Sequence, residues 1–391
     1  MTADESSRFV SRRMLAVPPS GIRKFFDLLS TIDDVISLGV GEPDYVTPTP
    51  IRRAAIESIE RGDTHYTSNY GLLELRERLS AHLDRLYGVR YDPRDEIVIT
   101  SGSSEALDIA LRALLDPGDE VLCADPSYVA YLPATLMAGG CFQPVPTYAS
   151  NDFRLLAGDL EAAVTPRTKA ILLGYPSNPT GAVMGREDLL AVAEVAAARD
   201  LAVLSDELYD RMTYGSEHTC FAALPGMRGR TVLLGGFSKT YAMTGWRLGW
   251  VAAPAPLTEA LMKVHQYVMM SAPTAAQYAG IAALEHGEDF VREMVAEYDR
   301  RRRLIGDGFR AVGLETFEPR GAFYAFPDIS VTGLGSVAFS ERLLSEERVA
   351  VVPGTAFGQH GEGYVRACYA SSYENIERAL ERIGRFVQRQ R

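Results

Sequence analysis

Short β-rich runs alternate with helical patterns from residue 96 onward, and this alternation constrains the fold of the chain more than any other feature. The runs rich in aliphatic and β-branched residues are Ile97–Thr100, Val121–Cys123, Ala170–Gly174, Ala202–Leu204 and Thr231–Leu234. Helical patterns near 104–115, 187–198 and 256–285 lie between or after them. This order predicts an α/β fold with a doubly wound, mostly parallel sheet. Ligands of such sheets bind beyond the carboxyl ends of the strands, so the residues after each run are candidates for a binding site.

The pattern changes after about residue 286. A long charged helix is predicted from Glu288 to about Phe309, and helices are predicted near 336–345 and 373–388. Short strands are predicted near Leu314–Thr316, Ala322–Phe326, Ala350–Val352 and Tyr364–Ala367. We therefore expect three parts: an N-terminal arm over 1–45 that adds to the small domain, a large domain over 46–286, and a smaller α+β domain over 287–391. Within the arm, an amphipathic helix is predicted at Ile22–Leu29.

Charge and cysteine usage narrow the classes of partner. The formal net charge of −11 over 391 residues argues against nucleic acid or an anionic membrane as a main partner, since both require clustered Lys and Arg. The four cysteines are far apart in sequence, which favours buried thiols in a reducing compartment over a disulfide framework or a metal site. The first twenty residues lack an apolar core of the signal-peptide type. We expect a cytoplasmic protein that binds a small molecule.

Three polar residues follow three of the buried runs. Asn178, Asp206 and Lys239 are spaced by roughly thirty residues, the length of one strand–helix unit. We therefore expect them to converge at one edge of the sheet. A carboxylate such as Asp206 is costly in a buried position unless a cation meets it.

Lys239 stands where the strand Thr231–Phe237 opens into a turn rich in glycine and serine. An amine in an apolar pocket near other cations has a lowered pKa, and a neutral amine condenses with an aldehyde. Taken alone, Lys239 also fits a surface lysine on a turn. A phosphate-binding P-loop requires glycine directly before the lysine, where this chain has Ser238, and a Ser-x-x-Lys nucleophile pair is not matched.

A predicted helix N-terminus follows the run at Ile97. The sequence Gly102-Ser103-Ser104-Glu105 leads into the helical pattern, so free backbone N–H groups there could bind an anion. Taken singly, Ser103 is more simply a helix cap. Upstream, Tyr66 and Tyr70 precede a predicted helix over Leu72–Tyr87, and local pattern alone favours packing roles for both.

The stretch SKTYAMTGWRLG, from Ser238 to Gly249, resembles the Schiff-base lysine motif of the class I and II pyridoxal-phosphate aminotransferases, close to S-K-x-x-x-[ML]-x-G-x-R-x-G. The resemblance extends from GVGEPDYVTP near the start to YVRACYA near the end, so the chain is identified as a member of that family. It implies pyridoxal 5′-phosphate as cofactor, a seven-stranded sheet in the large domain, and a homodimer with active sites at the interface.

The resemblance also implies roles for individual residues. Lys239 would hold the cofactor and move a proton at the substrate, Asp206 would keep the ring nitrogen protonated, and Tyr128 would stack on the ring. Asn178 and Tyr209 would contact the ring 3′-oxygen. The phosphate would be bound by Ser103, Ser104, Ser238 and Arg247, together with a tyrosine from the neighbouring subunit. Tyr66 matches the position of that tyrosine, and Tyr70 is the nearby alternative. The substrate carboxylate would bind Arg366, near Gly41 and Asn178. Cis peptides are implied at Asp125–Pro126 and Asn178–Pro179.

Two features bear on the substrate. Some relatives that prefer acidic substrates carry a lysine where this chain has Ser104, and the opening Pro18–Leu28 is similar to those of aromatic and broad-range relatives. We therefore expect a broad or aromatic amino donor with a 2-oxo acid such as 2-oxoglutarate as acceptor. A pyridoxal-phosphate C–S lyase or an aminocyclopropane-type synthase would share the same cofactor residues. A non-catalytic regulator is the third alternative, and it would need a DNA-binding domain upstream of the first helix.

Overall fold

The computed structural model describes residues 8–19, 21 and 34–391. In chain order the strands are β1 (Ile36–Ser37), β2 (Ile97–Thr100), β3 (Glu120–Asp125), β4 (Cys141–Pro146), β5 (Thr168–Gly174), β6 (Ala202–Asp206), β7 (Thr231–Gly236), β8 (Gly249–Ala252), β9 (Tyr324–Ala325), β10 (Val349–Ala350), β11 (Val352–Pro353) and β12 (Val365–Cys368). The α-helices are α1 (Arg12–Leu15), α2 (Thr49–Glu60), α3 (Leu73–Tyr87), α4 (Ser103–Leu114), α5 (Tyr131–Ala138), α6 (Ala157–Ala163), α7 (Arg186–Ala198), α8 (Ala255–Val268), α9 (Thr274–His286), α10 (Glu288–Ala311), α11 (Ser336–Glu347) and α12 (Tyr373–Gln390). The predicted helix at Ile22–Leu29 lies outside the described residues.

A seven-stranded sheet forms the centre of the large α/β unit. Its strand order is β2-β8-β7-β6-β5-β3-β4, and β8 alone runs in the direction opposite to the other six strands. The predicted fold class is therefore confirmed. Because β3, β5, β6 and β7 are parallel, their carboxyl ends lie at the same edge of the sheet.

Helices cover both faces of this sheet, which explains why its strands are apolar along their whole length. Side chains of a strand alternate between the two faces. Val98 therefore packs in the core that α4 and α8 complete, whereas its neighbours Ile97 and Ile99 pack in the core that α3 and α9 complete. Burial on both faces leaves the strand ends as the place where polar side chains meet a cavity.

The structure differs from the sequence predictions for this unit in three respects. The helical pattern over 256–285 is two helices, α8 and α9, because Pro273 cannot donate the backbone hydrogen bond that a continuous helix requires. The edge strand β4 was not predicted, since Pro144 and Pro146 argue against a central strand and are tolerated only at an edge. Cys141 begins β4 and is exposed, so the expectation of buried thiols holds for Cys123, Cys220 and Cys368 but is wrong for Cys141.

Segments from both ends of the chain meet in the smaller α+β part. β1 pairs in parallel with β10, and a separate three-stranded sheet has the order β11-β12-β9. The strand predicted at Leu314–Thr316 is instead an isolated bridge between Thr316 and Pro327. None of the helices in the described ranges has the length and apolar character needed to cross a membrane.

Candidate active site

The carboxyl ends of β5, β6 and β7 open onto a cavity of about 190 Å³. Asn178, Asp206 and Lys239 all line it, so their predicted convergence is confirmed. The other lining residues come from the loops after β1, β3, β5 and β6, from α4 and α5, and from the smaller α+β part: Gly39, Gly41, Ser103, Ser104, Leu107, Tyr128, Tyr131, Gly174, Pro176, Leu208, Tyr209, Tyr324 and Arg366.

The Lys239 amine lies inside this cavity rather than on the surface. Its Nζ donates a hydrogen bond to the carbonyl oxygen of Gly41 at 2.6 Å. Burial lowers the pKa of Lys239 to about 8, and the positive charge of Arg366 adds to that effect. A larger fraction of this amine is therefore neutral near pH 7 than of an ordinary lysine, as a nucleophilic amine requires. A side chain larger than that of glycine would not fit at Gly41, because a Cβ there would lie 2.5 Å from the Tyr324 hydroxyl.

Asp206 has hydroxyl and backbone partners but no cation among the described residues. The Tyr131 hydroxyl donates to its Oδ2 at 2.9 Å, and the Leu208 N–H donates to its Oδ1 at 3.3 Å. Burial raises the pKa of Asp206 to about 6, and these hydrogen bonds oppose that shift. Tyr131 was missed by the sequence analysis, although a buried tyrosine regularly finds a partner for its hydroxyl.

Arg366 crosses the cavity from β12 and is almost fully buried. Its Nη1 donates to Oδ1 of Asn178 at 2.9 Å and its Nη2 donates to the Gly39 carbonyl at 2.6 Å. The guanidinium lies between two rings, with its Cζ 4.5 Å from the Tyr324 centroid and 4.8 Å from the Phe357 centroid. Its Nε is buried without a partner among the described residues. A planar cation held this way suits a carboxylate ligand.

A buried tyrosine pair completes the wall near Arg366. The Tyr209 and Tyr324 hydroxyls are 2.7 Å apart, and burial raises the pKa of both phenols. Both hydroxyls therefore stay protonated at neutral pH and can act as hydrogen-bond donors. Tyr324 was not singled out from the sequence, because its contact with Tyr209 joins positions 115 residues apart.

Arg247 lies beside the N-terminus of α4, whose Ser103 and Ser104 line the cavity. Gly102, with φ 79°, is the helix cap and contributes no side-chain bond, so the interpretation of Ser103 as the cap is wrong. A Cβ at Gly102 would lie 2.6 Å from Nη2 of Arg247, which places that guanidinium beside the free N–H groups of α4. Such a pairing favours an anion. Ser238 is buried next to Lys239 in sequence, and neither it nor Arg247 is among the residues lining the cavity.

The candidate aromatic residues occupy different surroundings. Tyr128 lines the cavity and meets Tyr131 edge-on, with ring centroids 5.4 Å apart. Tyr66 is 80% exposed and does not reach the cavity of its own chain, so the alternative in which it packs under its own helix is wrong. Tyr70 is half-buried and lies against Arg76, at 5.5 Å from ring to guanidinium.

Both cis peptides implied by the resemblance are confirmed. Asp125–Pro126 and Asn178–Pro179 are cis, and Tyr175–Pro176 is a third cis bond that was not expected. All three belong to the loops that follow β3 and β5, at the edge of the sheet where the cavity lies.

Comparison with known proteins gives a consistent result over nearly the whole chain. The profile of the family described as "Aminotransferase class I and II" matches residues 33–383. The chain is 50% identical to a putative aminotransferase of Bacillus subtilis, over 97% of this chain and 99% of that protein. It is 45% identical to the aromatic-amino-acid aminotransferase 2 of Thermococcus litoralis, over 97% and 98% of the two chains.

Solved structures agree with these sequence matches. An aromatic aminotransferase from Pyrococcus horikoshii superposes with a TM-score of 0.90 at 46% identity, over 93% of this chain and 99% of that one. The aspartate aminotransferase of Thermus thermophilus with maleate superposes with a TM-score of 0.92 at 38% identity, over 96% and 99%.

Proposed function

This chain belongs to the class I and II aminotransferases, and on that premise we propose that it uses pyridoxal 5′-phosphate to move the amino group of a broad range of L-amino acids, aromatic ones favoured, to a 2-oxo acid such as 2-oxoglutarate. The observation that carries the proposal is the shared cavity of Lys239, Asp206 and Arg366. It provides an amine of lowered pKa, a carboxylate that no cation meets in the described part of the chain, and a planar cation, all within one site.

The residues present fit this cofactor. Asp206 has no cationic partner among the described residues, and a protonated ring nitrogen would supply one. The N-terminus of α4 and Arg247 would bind the phosphate, together with Ser103, Ser104 and Ser238. Tyr128 would stack on the ring, while Asn178 and Tyr209 would hydrogen-bond its 3′-oxygen. When bound, the cofactor supplies a ring that accepts electrons from the substrate α-carbon.

The protein side of the chemistry is binding, orientation and proton transfer. Arg366 would bind the α-carboxylate through its planar fork, with Gly41 and Asn178 beside it. Lys239 would attach the cofactor and afterwards act as the base and acid that moves a proton at the substrate α-carbon, a role that suits a pKa near working pH. The Tyr324 and Phe357 rings beside Arg366 would shield the bound carboxylate from solvent.

A groove of about 800 Å³ supports an apolar or aromatic donor. It shares Tyr128 with the cavity and is lined largely by apolar residues from the α5 region, from the loop at Phe357 and from the N-terminal segment, namely Val17, Pro18, Pro19 and Gly21. No Lys or Arg lines the groove within the described ranges, and the lysine of some acid-preferring relatives is replaced by Ser104. A distal carboxylate on the donor would therefore lack a partner in this groove.

The decisive test is a substrate panel. Purified protein loaded with pyridoxal 5′-phosphate is incubated with individual L-amino acids, with and without 2-oxoglutarate, and keto acid, glutamate and ammonia are measured. We expect glutamate and the matching keto acid, with aromatic donors among the best. Release of pyruvate and ammonia without an acceptor would instead identify a lyase.

Asp206→Asn is expected to stabilise the cofactor-free protein above pH 6 and to leave it unchanged below about pH 4. Burial raises the pKa of this carboxyl from 3.8 to about 6, so between these values the folded protein keeps a proton that the unfolded chain has released. The free energy of unfolding of the unchanged protein therefore falls as pH rises through this window. Above the window, the buried charge of Asp206 lowers this free energy by at most about 3 kcal/mol. Urea unfolding at both ends of the window measures the difference. Asp289→Asn, at an 83% exposed side chain, is the control, and an equal effect of Asp206→Asn at both pH values would contradict the assignment.

A second copy of the chain is proposed to complete the phosphate site through Tyr66. The residue before it, His65, accepts a hydrogen bond from Thr274 at the α8–α9 junction, where Tyr267, Val268, Met269 and Met270 are exposed. Clustered exposed apolar side chains of this kind mark interaction surfaces. A homodimer that buries this surface would bring Tyr66 of each chain toward the neighbouring cavity.

Tyr66→Phe is expected to weaken retention of the cofactor by roughly ten-fold or more, the effect of losing one hydrogen bond to a charged group. Cofactor released on dialysis measures the change, and sedimentation reports the oligomeric state. Tyr373→Phe, at another partly exposed tyrosine, is the control. A monomer that keeps full activity at assay concentration would refute the shared site.

A further inference from the structure

A hydrogen bond beside the groove joins Asp125 to His360. Asp125 ends β3, three residues before Tyr128, and its side chain is only 5% exposed. His360 lies in the short 3-10 segment Gln359–Gly361, a few residues before β12. The His360 Nδ1–H donates to Oδ2 of Asp125 at 2.7 Å. Because a buried carboxylate is costly without hydrogen-bond donors, this contact holds the two segments together.

The surroundings of the pair leave little room for a different arrangement. Oδ1 of Asp125 has no partner among the described residues, and a Cβ at Gly358 would overlap it. Gly358 has φ +135°, which favours glycine as well. The His360 backbone N–H also donates to Oδ2 of Asp125 at 3.4 Å, and the Ser127 N–H donates to the Phe357 carbonyl at 2.9 Å. Three adjacent polar contacts, counting the imidazole, therefore connect the loop after β3 to the segment 357–360.

The segment 357–360 is also one wall of the Arg366 site. The Phe357 ring lies 4.8 Å from the Arg366 guanidinium, opposite the Tyr324 ring at 4.5 Å. The loop after β3 carries Tyr128, which lines the cavity. A shift of His360 away from Asp125 would therefore move Phe357 and loosen one face of the slot in which Arg366 is held.

We propose that Asp125 and His360 are positioning residues that hold Phe357 against Arg366 and so set the affinity of the site for the substrate carboxylate. The proposal rests on the proposed function only in taking Arg366 as the carboxylate ligand. The pair acts through Phe357 and touches neither the cofactor nor the reacting atoms. It should therefore change carboxylate affinity and leave the proton-transfer step at Lys239 unaltered.

The test compares His360→Ala with His360→Asn, whose amide nitrogen takes the place of Nδ1. The ligand is 3-phenylpropanoate, a monocarboxylate without an amino group, and its binding to the cofactor-loaded protein is followed by titration calorimetry. We expect His360→Ala to weaken binding and to raise the donor KM by roughly ten-fold, within the range of coupling between contacting residues, while kcat changes by less than about two-fold. His360→Asn should recover most of the affinity.

The exposed residue His286 provides the control, and His286→Ala should bind the ligand as the unchanged protein does. A folded His360→Ala variant with unchanged Kd and KM would overturn the proposal, and so would a fall in kcat with unchanged Kd. If His360→Ala does not fold, Asp125→Asn takes its place, because an amide oxygen is a weaker acceptor than a carboxylate: weaker binding of 3-phenylpropanoate with little change in kcat is expected, and an unchanged Kd would overturn the proposal. Binding of 3-phenylpropanoate needs no turnover, so failure of the substrate panel would refute the proposed function without affecting this result.

Discussion

Replacing Lys239 by alanine is expected to lower turnover by at least about 10⁴-fold, the upper range for loss of a positioned acid or base, and to abolish covalent attachment of the cofactor. Neither of the other lysines in the described residues can substitute for it. Lys24, Lys169 and Lys263 are the remaining lysines of the chain, and the Lys169 and Lys263 side chains are 48% and 69% exposed in surface ion pairs. Borohydride reduction followed by peptide mass mapping measures the attachment, and a steady-state assay measures the rate.

Two further variants separate the role of the neutral amine from that of positive charge. Lys239→Arg keeps the charge but cannot lose its proton, so we expect it to be as inactive as the alanine variant. Lys263→Ala, at a surface ion pair on α8, should keep normal activity. A Lys239→Ala protein that still retains the cofactor on reduction would refute the assignment of Lys239.

Arg366→Ala is expected to raise the KM for amino acid and 2-oxo acid substrates, with a loss of roughly 2–5 kcal/mol in binding, because the substrate carboxylate would enter a buried site without its cation. The substitution also leaves the Asn178 amide oxygen and the Gly39 carbonyl without their present donor. Steady-state kinetics over a range of donor concentrations gives the change in KM, and thermal unfolding reports any loss of stability.

A charge-conserving variant sharpens this second prediction. Arg366→Lys keeps a cation but lacks the planar fork that matches a carboxylate, so its KM should lie between those of the alanine variant and the unchanged protein. If Arg366→Ala binds substrates with unchanged KM, the carboxylate site must lie elsewhere in the cavity.

Much of the large domain could be predicted because its signals are local. The runs at Ile97, Ala170, Ala202 and Thr231 each became a strand of the sheet, since a strand covered on both faces is apolar along its length. The edge strand β4 was missed because it is not apolar along its length: it contains two prolines and an exposed cysteine. A break between α8 and α9 was missed although Pro273 stands there, because apolar periodicity continues on both sides of it.

The sequence by itself determined which residues stand at the ends of parallel strands. Strand length and the spacing of one βα unit depend on residues that are near one another along the chain. The sequence therefore predicts that Asn178, Asp206 and Lys239 lie at one edge of the sheet. The resemblance to a known motif added roles for them, and those roles remain predictions.

Only the tertiary structure decided which side chains contact one another. The bonds from Tyr131 to Asp206, from Tyr209 to Tyr324 and from His360 to Asp125 join positions 75, 115 and 235 residues apart. Local periodicity shows which face of an element is buried, but the partner across that face depends on how separate elements pack. The pKa values of Lys239 and Asp206 depend on the same packing, because burial in the assembled cavity is what shifts them.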